Sequence, residues 1–210
     1  MLYRRQTPEV EQNVFIAFTD MALTMVMVMV LLVVLITLYG RIGWDNIQYK
    51  QAQGQVETEV RTAYAQRRVP APYVNKGRND PPGAQRWVFS QQNLFEPGSA
   101  RLTVQSRTNL LQFATIVRAH QDLWRRLRIE GHTMPQQGAA EDDWQLSAAR
   151  AEMVARVFSG TGHIPAFKMA IAGRAGQNPL FTTDKRNPAN ERVEILIEYG
   201  AKTQMQGQRP

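Results

Sequence analysis

The N-terminal part of the sequence contains one long run of apolar residues. It extends from Val14 to Tyr39, and Asp20 is its single charged residue. As a helix the run would be about 39 Å long, enough to cross a hydrocarbon core of about 30 Å with some tilt. It is too long for the apolar region of a signal peptide, and no small-residue cleavage site follows it. The pattern therefore predicts a transmembrane helix over residues 14–39, preceded by a tail of residues 1–13.

The next part of the chain is polar and permits helix formation. Val56, Val60 and Tyr64 are spaced at i, i+4 and i+8, which makes a narrow apolar stripe. This stripe could pair two copies of the chain, or the helix could be a solvated stalk. Proline and glycine then interrupt any regular element between residues 67 and 85. We predict a stalk followed by a linker over residues 40–85.

Short segments of alternating apolar and polar residues fill the C-terminal half. Segments typical of half-buried strands are residues 86–90, 125–131, 168–172 and 192–199, and those typical of amphipathic helices are residues 103–121 and 143–159. A loop of residues 94–102 separates the first strand from the first helix. Strands interleaved with helices predict an α/β fold, built as an α+β sandwich, over residues 86–200, followed by a tail of residues 201–210.

Asp20 is the residue whose position most needs an explanation. A carboxylate near the centre of a spanning helix costs at least about 2.5–3.5 kcal/mol, and by default it marks a path for ions or protons. Thr24 lies one turn further along the same helical face, where its hydroxyl could hydrogen-bond the carboxyl. Alternatively, Asp20 lies only about six residues inside the run and so could reach the membrane interface or cap the helix.

The composition narrows the classes of function. The chain has 210 residues, no cysteine and a formal net charge of +7, so disulfides and Cys-based zinc sites are excluded. A basic balance suggests an anionic partner, but the basic residues are scattered and no nucleic-acid motif occurs, so nucleic acid binding is not expected. The three histidines lack metal-ligand spacing, and Ser147 has no base near it in sequence. We therefore predict neither an enzyme nor a bound cofactor or metal.

Four ordered motifs in the C-terminal half closely resemble the OmpA-like peptidoglycan-binding domain. They are EGHT at residues 130–133, LSAARAEMV at 146–154, GRAGQNP at 173–179 and NERVEI at 190–195. The N-terminal FIAFTDMALTMVMV resembles the membrane helix of MotB and of ExbD/TolR-type stator proteins. LFEPGSARL resembles the MotB segment that enters the OmpA-like domain. The order of helix, linker and domain is that of MotB, and also of ZorB from the Zorya anti-phage systems.

The resemblance implies a binding site for the peptide stem of peptidoglycan. In the OmpA-like family one arginine and one aspartate hold diaminopimelate, and the arginine matches Arg150. A guanidinium group suits this role because it binds a carboxylate bidentately. Met134 holds the place of the family's aspartate after the GHT motif. Asp142 or Asp143 would then supply the negative partner for the ligand's ammonium group; the alternative is that wall binding is weak or has a different specificity.

Leu146 and Thr133 also belong to the predicted site. Leu146 and Asp143 precede Arg150 on one helical face, so we expect Leu146 to pack and Asp143 to face the ligand. Thr133 is included because it ends the EGHT motif. The alternative is that Arg150 only supports the fold, through a salt bridge to Asp143 or Glu194.

The resemblance also implies a stator subunit of an ion-driven motor. It would act as a homodimer beside a polytopic MotA-, ZorA- or ExbB-like partner, with Asp20 carrying H⁺ or Na⁺ and the C-terminal domain anchored on peptidoglycan. Basic residues flank the apolar run almost equally on both sides. A cytoplasmic N-terminus and a periplasmic domain at the bacterial inner membrane therefore follow from the resemblance alone. The alternative function is a structural tether between membrane and wall without ion transport, and flagellar drive and phage defence both stay open as roles of the motor.

Overall fold

The computed structural model describes residues 14–77, 79–90, 94–134 and 140–200, without the side chains of residues 14, 41–48 and 140–142. The chain forms two compact units that divide between Asp45 and Asn46. The predicted tails, residues 1–13 and 201–210, lie outside the described residues.

The first helix, α1, runs from Val14 to Gln66 and contributes residues to both units. In the first unit its segment Phe15–Gly40 is long and apolar enough to cross a membrane, and no part of that segment is buried within the chain. An exposed apolar surface of this size indicates that a membrane or a partner protein covers it. The predicted N-terminal apolar helix is confirmed.

The second unit begins within α1. Val56, Val60 and Tyr64 are buried in its hydrophobic core, and the Tyr64 hydroxyl donates a hydrogen bond of 2.6 Å to the backbone carbonyl of Asn109. The apolar stripe therefore packs inside one chain, a role that differs from both predicted alternatives. Three apolar residues on one helical face show that a surface must cover them, but they do not show which surface.

A five-stranded sheet of order β1-β2-β5-β3-β4 forms the centre of the second unit. Its strands are β1 (Tyr73–Asn75), β2 (Ala84–Phe89), β3 (Trp124–His132), β4 (Met169–Gly173) and β5 (Arg192–Tyr199). β3 and β4 run parallel, and the other neighbouring strands run antiparallel. The other elements are the helices α2 (Val104–Ala119) and α3 (Ala140–Ser159) and the 3₁₀ turns Ala166–Lys168 and Pro188–Asn190.

The predicted α/β class is confirmed, and the structure adds an element that the sequence did not predict. β1 lies in the segment predicted as a linker, where it pairs Tyr73 with Val88 and Asn75 with Arg86 of β2. A three-residue strand between prolines carries too little pattern to be recognised before its partner is known. The second compact unit therefore starts at Asn46, well before residue 86.

The two faces of the sheet differ in chemistry because side chains alternate along each strand. On one face, Trp87 and Phe89 of β2 pack against Phe113 of α2, with ring centroids 5.3 and 5.2 Å apart in edge-to-face geometry. The opposite face carries charged residues, among them Glu130 of β3 and Glu194 of β5, which are paired across the two strands. Both are nearly inaccessible to water, so this face is a buried polar layer.

Candidate functional site

Arg150 lies at the centre of the predicted ligand site and is almost completely buried on α3. Its Nε donates a hydrogen bond of 3.0 Å to the backbone carbonyl of Ser99, and its guanidinium carbon lies 4.9 Å from the centroid of the Phe95 ring. Its Nη1 lies 2.5 Å from Oε1 of Glu191. A carbonyl, a ring face and a carboxylate therefore fix the guanidinium on three sides.

The loop between β2 and α2 presents Ser99 and Phe95 to Arg150. An isolated β-bridge joins Phe95 to Leu102, and the Glu96 amide donates to the Arg101 carbonyl at 2.9 Å. Gly98 turns the chain with a φ of +66°, a conformation that favours glycine. The loop is thus closed on itself, so the Ser99 carbonyl has a defined direction.

Glu191 is held in place by its two neighbours in the sequence. The buried Asn190 side chain accepts a hydrogen bond from the Phe181 amide at 3.0 Å and donates to two carbonyls of the preceding loop at 3.1 Å. Arg192, also buried, donates to the Asn178 carbonyl at 2.8 Å. These contacts give Asn190 and Arg192 structural roles, and they fix the backbone from which Glu191 reaches Arg150.

Glu191 is a residue of the site that the sequence did not predict. Asp143 and Glu194 were the predicted ion-pair partners of Arg150. Glu191 contacts Arg150, and Glu194 pairs with Arg86 and Arg192. A signal was available, because NERVEI at residues 190–195, one of the four motifs that resemble the OmpA-like domain, has an acidic residue at position 191. The role of this acidic residue follows only from its contact with Arg150, which is far from it in the chain.

The other predicted site residues have mixed surroundings. Asp143 is buried on α3, and Leu146 is partly exposed one turn before Arg150. Thr133 is buried, and its hydroxyl oxygen has no hydrogen-bond partner in the described part of the chain. The side chain of Asp142 lies outside the described residues.

Close backbone packing explains why glycine and serine recur in the motifs around the site. A Cβ on Gly131 of β3 would lie 2.0 Å from the backbone oxygen of Ser147 on α3, so only glycine fits there. The Ser147 hydroxyl accepts a hydrogen bond of 3.0 Å from the Ala175 amide and donates one of 3.0 Å to the Trp144 carbonyl. These contacts clamp α3, and with it Arg150, onto β3 and the turn that follows β4.

A separate network of charges, most of them buried, covers the polar face of the sheet. Its members are Asp80, Arg86, Arg128, Glu130, His132, Arg174, Arg192 and Glu194. Arg86 contacts three carboxylates, and its Nη1 lies 2.9 Å from Oε2 of Glu130. Removing one partner would leave a buried charge uncompensated, so the network stabilises the fold only as a complete set.

Three members of this network could in principle ligate a metal ion. The nearest donor atoms of Glu130, His132 and Glu194 lie within 4.8 Å of one another. However, the Arg86 guanidinium already contacts both carboxylates. A divalent cation would have to displace it and would meet the positive charge of Arg192 as well. We therefore assign the cluster to the fold.

The network shifts the pKa values of its acidic groups and of its histidine. Burial raises the pKa of Glu194, but a hydrogen bond from His132 and the positive charge of Arg192 lower it by more, so it lies well below the ordinary 4.5. Burial likewise raises the pKa of Glu130, and Arg174 and Arg86 outweigh that effect. Burial lowers the pKa of His132 below 6.5. The folded state therefore favours charged carboxylates beside a neutral imidazole.

We expect the second unit to lose stability as the pH falls, in two stages. A group whose pKa is lower in the folded state contributes stability above its unfolded pKa and loses it as the pH falls. His132 begins this loss below 6.5, and Glu130 and Glu194 begin theirs below 4.5. Urea unfolding of the full chain in detergent micelles, followed by tryptophan fluorescence between about pH 7.5 and 3, measures both stages.

His132→Gln is the control for the first stage. It removes the imidazole, so the loss that begins below 6.5 should shrink while the loss below 4.5 persists. A free energy of unfolding that stays constant from about pH 7.5 to 5.5 in the unmodified protein would contradict the assignment of a neutral buried His132.

Asp20 and Thr24 lie on α1 in the first unit, and both are exposed in the single chain. The Thr24 hydroxyl donates a hydrogen bond of 2.9 Å to the Met21 carbonyl. The Thr24 hydroxyl therefore donates to the helix backbone, and not to the Asp20 carboxyl as predicted. Because both side chains are exposed, packing in the core of this chain does not explain the presence of a carboxylate at position 20.

Residues 94–193 match the model of the OmpA family. The match extends from the Ser99 loop through Arg150 to the beginning of β5, so it contains the whole environment of the guanidinium. Together with the sheet topology, it defines the class of this part of the molecule: an OmpA-like domain, as the sequence motifs predicted. The chain as a whole carries that domain behind an N-terminal apolar helix.

Solved structures of a MotB-like protein and of a cell wall anchor are similar to this chain. A solved structure of a MotB-like protein from Desulfovibrio vulgaris is 25% identical, with a TM-score of 0.59 over 74% of this chain and 96% of that one. The cell wall anchor of the T6SS from Pseudomonas aeruginosa shares the fold, with 22% identity and a TM-score of 0.52 over 70% of this chain and 97% of that one. The resemblance to MotB-like proteins with an OmpA-like domain is confirmed.

Two curated relatives match the chain over part of their length. YtxE of Bacillus subtilis is 29% identical over 121 residues, which are 55% of this chain and 49% of YtxE. The truncated flagellar export/assembly protein LafU of Escherichia coli is 29% identical over 108 residues, 50% of each chain. The chain therefore spans about half the length of the curated relatives it matches.

Proposed function

We propose that this chain is a MotB-like subunit of an ion-driven motor in the bacterial inner membrane. The observation that carries the proposal is the union, in one chain, of a membrane-length apolar helix bearing one carboxylate with an OmpA-like domain that holds a fixed guanidinium. The helix supplies a site for an ion at Asp20. The domain supplies a site for an anionic group of peptidoglycan at Arg150.

The two parts have complementary mechanical roles in this proposal. A charge that crosses a potential of 100 mV releases about 2.3 kcal/mol, which can drive movement of a polytopic MotA-, ZorA- or ExbB-like partner. That work requires one component to be fixed, and the OmpA-like domain fixes the unit by binding the cell wall. Two copies of the chain would stand beside the partner, with N-termini in the cytoplasm and OmpA-like domains in the periplasm.

We further propose a specialised motor, such as the Zorya anti-phage type, in preference to the flagellar drive. The segment AFTDMALTM around Asp20 differs from the AYADFMTAM-like run of flagellar MotB, and the difference lies at the residues that would surround the ion. The resemblance to LafU, a flagellar protein by name, favours the other role. Phage resistance and swimming, scored in the same cells, separate the two.

Arg150→Lys is expected to release the protein from isolated cell walls. Lysine keeps the positive charge but lacks the planar fork that binds a carboxylate bidentately, so at least about tenfold weaker retention is expected. The measurement is co-sedimentation of the detergent-solubilised full chain with purified peptidoglycan. Arg156→Lys is the matched control, because Arg156 lies on the same helix but is exposed and pairs with Glu152.

Thermal unfolding of both variants separates lost binding from lost folding. Unchanged wall retention in a folded Arg150→Lys variant would contradict the proposed wall-binding site and would leave Arg150 as a purely structural residue.

A further inference from the structure

The carboxylate that pairs with Arg150 is accessible to solvent, whereas the guanidinium is not. The Glu191 side chain is 37% exposed and the Arg150 side chain 2% exposed. A ligand that approaches from solvent therefore meets a negative group first and reaches the positive group behind it. This order favours a ligand that presents a cation close to a carboxylate.

The pair also keeps hydrogen-bonding capacity for a ligand. Nη1 of Arg150 approaches Glu191 to 2.5 Å but makes no hydrogen bond of normal geometry within the described residues, although it is buried. That contact uses Oε1 of Glu191, and the second oxygen of the carboxylate is a further hydrogen-bond acceptor. One donor and one acceptor of opposite charge thus lie side by side, which complements a zwitterion with an ammonium and a carboxylate on one carbon.

The backbone around Glu191 is rigid enough to define this arrangement. Asn190 and Arg192 are buried on either side of it, and each is fixed by hydrogen bonds to loop carbonyls. The side chain itself is half-exposed and can rotate outward when a ligand carboxylate approaches Arg150. A fixed backbone with a movable carboxylate reduces the entropy cost of binding without closing the site.

We propose that Glu191 is the ammonium-binding residue of the site and determines its specificity for a free α-amino acid centre, such as the zwitterionic end of a diamino acid in a peptide stem. This inference rests on the proposed wall-binding function of Arg150. It assigns the negative half of the site to Glu191, because Met134 carries no charge and the Glu191 carboxylate both contacts Arg150 and is open to solvent.

If Glu191 had a different role, its removal would change ligand affinity in the opposite direction. A carboxylate that only neutralised Arg150 would compete with the carboxylate of the ligand, and its removal would tighten binding. A carboxylate that binds the ammonium group contributes a charge-assisted hydrogen bond, and its removal weakens binding. The direction of the change therefore decides between the two roles.

The test is isothermal titration of the full chain in detergent micelles with a soluble muropeptide that contains meso-diaminopimelate. Glu191→Gln should bind this fragment at least about tenfold more weakly than the unmodified protein. Glu152→Gln is the matched control, because it removes an exposed carboxylate from α3 that pairs with Arg156 and lies outside the site. It should bind as the unmodified protein does.

A second ligand keeps the inference testable whatever the stability of the variant. The same fragment, acetylated at the free ammonium group of diaminopimelate, should bind the unmodified protein about tenfold more weakly, and Glu191→Gln should cause no further loss. Equal or tighter binding of the free fragment by a folded Glu191→Gln variant would overturn the inference, as would undiminished binding of the acetylated fragment. If Arg150→Lys loses binding and Glu191→Gln does not, the inference fails alone; if neither variant loses binding, the proposed function fails too.

Discussion

Asp20→Asn is expected to abolish ion flux through the complex while leaving the amount of protein in the membrane unchanged. Asparagine has nearly the same shape as aspartate but cannot take up and release a proton or neutralise a bound cation. Insertion should not suffer, because replacing a charge in a spanning helix removes a cost of about 2.5–3.5 kcal/mol. The measurement is H⁺ and Na⁺ flux in vesicles that contain the chain and its polytopic partner, which also identifies the transported ion.

Two variants control this experiment. Asp20→Glu retains a carboxyl group on a side chain one methylene longer, so part of the flux should remain. Asp45→Asn changes the next aspartate along the chain, which lies beyond the apolar segment Phe15–Gly40, and should have no effect. Normal flux and normal cellular activity in Asp20→Asn would exclude ion transfer at this residue. The surviving function would then be a structural tether between membrane and cell wall.

Gly131→Ala is expected to lower the free energy of unfolding of the second unit by about 3 kcal/mol or more. The added Cβ would lie 2.0 Å from the Ser147 oxygen, 3.0 Å from the Ser147 carbonyl carbon and 3.2 Å from the Ala151 nitrogen. All three are backbone atoms of α3, so no side-chain rotation relieves the clash and the helix must move away from β3. Urea unfolding of the full chain in micelles measures the loss.

The same helix carries Arg150, so wall retention should fall together with stability in Gly131→Ala. Gly54→Ala is the matched control. Gly54 lies within α1, a Cβ there meets no atom within 4 Å, and alanine should raise stability by about 0.5–1 kcal/mol. Equal stabilities for the two alanine variants would contradict the close approach of α3 to β3.

The OmpA-like domain shows how far local pattern leads. RVEILIEY alternates cleanly, and β5 occupies the predicted residues, Arg192–Tyr199. The alternation of strand β3 was also predicted, with its charged side chains on the face opposite the core. The structure shows that Glu130 on that face is almost completely buried, because arginines from other strands and loops cover it. Alternation identifies two faces of a strand, but the water accessibility of the polar face depends on what packs above it.

The candidate site shows a similar division. Arg150 was identified through the LSAAR motif, and Ser99 and Phe95 belong to the LFEPGSARL segment that was recognised beside it. Glu191, which contacts Arg150, was not predicted, because it is distant from Arg150 in the sequence and comes near it only in the folded domain. Whether Thr133, Leu146, Asp142 and Asp143 contribute to ligand binding stays a prediction.

The sequence by itself determined the long apolar helix with Asp20, the α/β class of the second unit and the arginine at the centre of the candidate site. The helix and the α/β class depend on residue types at short spacings, which act through local backbone geometry, whereas the arginine was identified through the resemblance of its motif to the OmpA-like family. Tertiary structure alone decided the burial of the α1 stripe, the short strand β1, the clamp of Gly131 against Ser147 and the contact between Arg150 and Glu191. Each of these joins segments that are distant in the chain, so it depends on how the sheet and helices close around one core, which periodicity cannot specify.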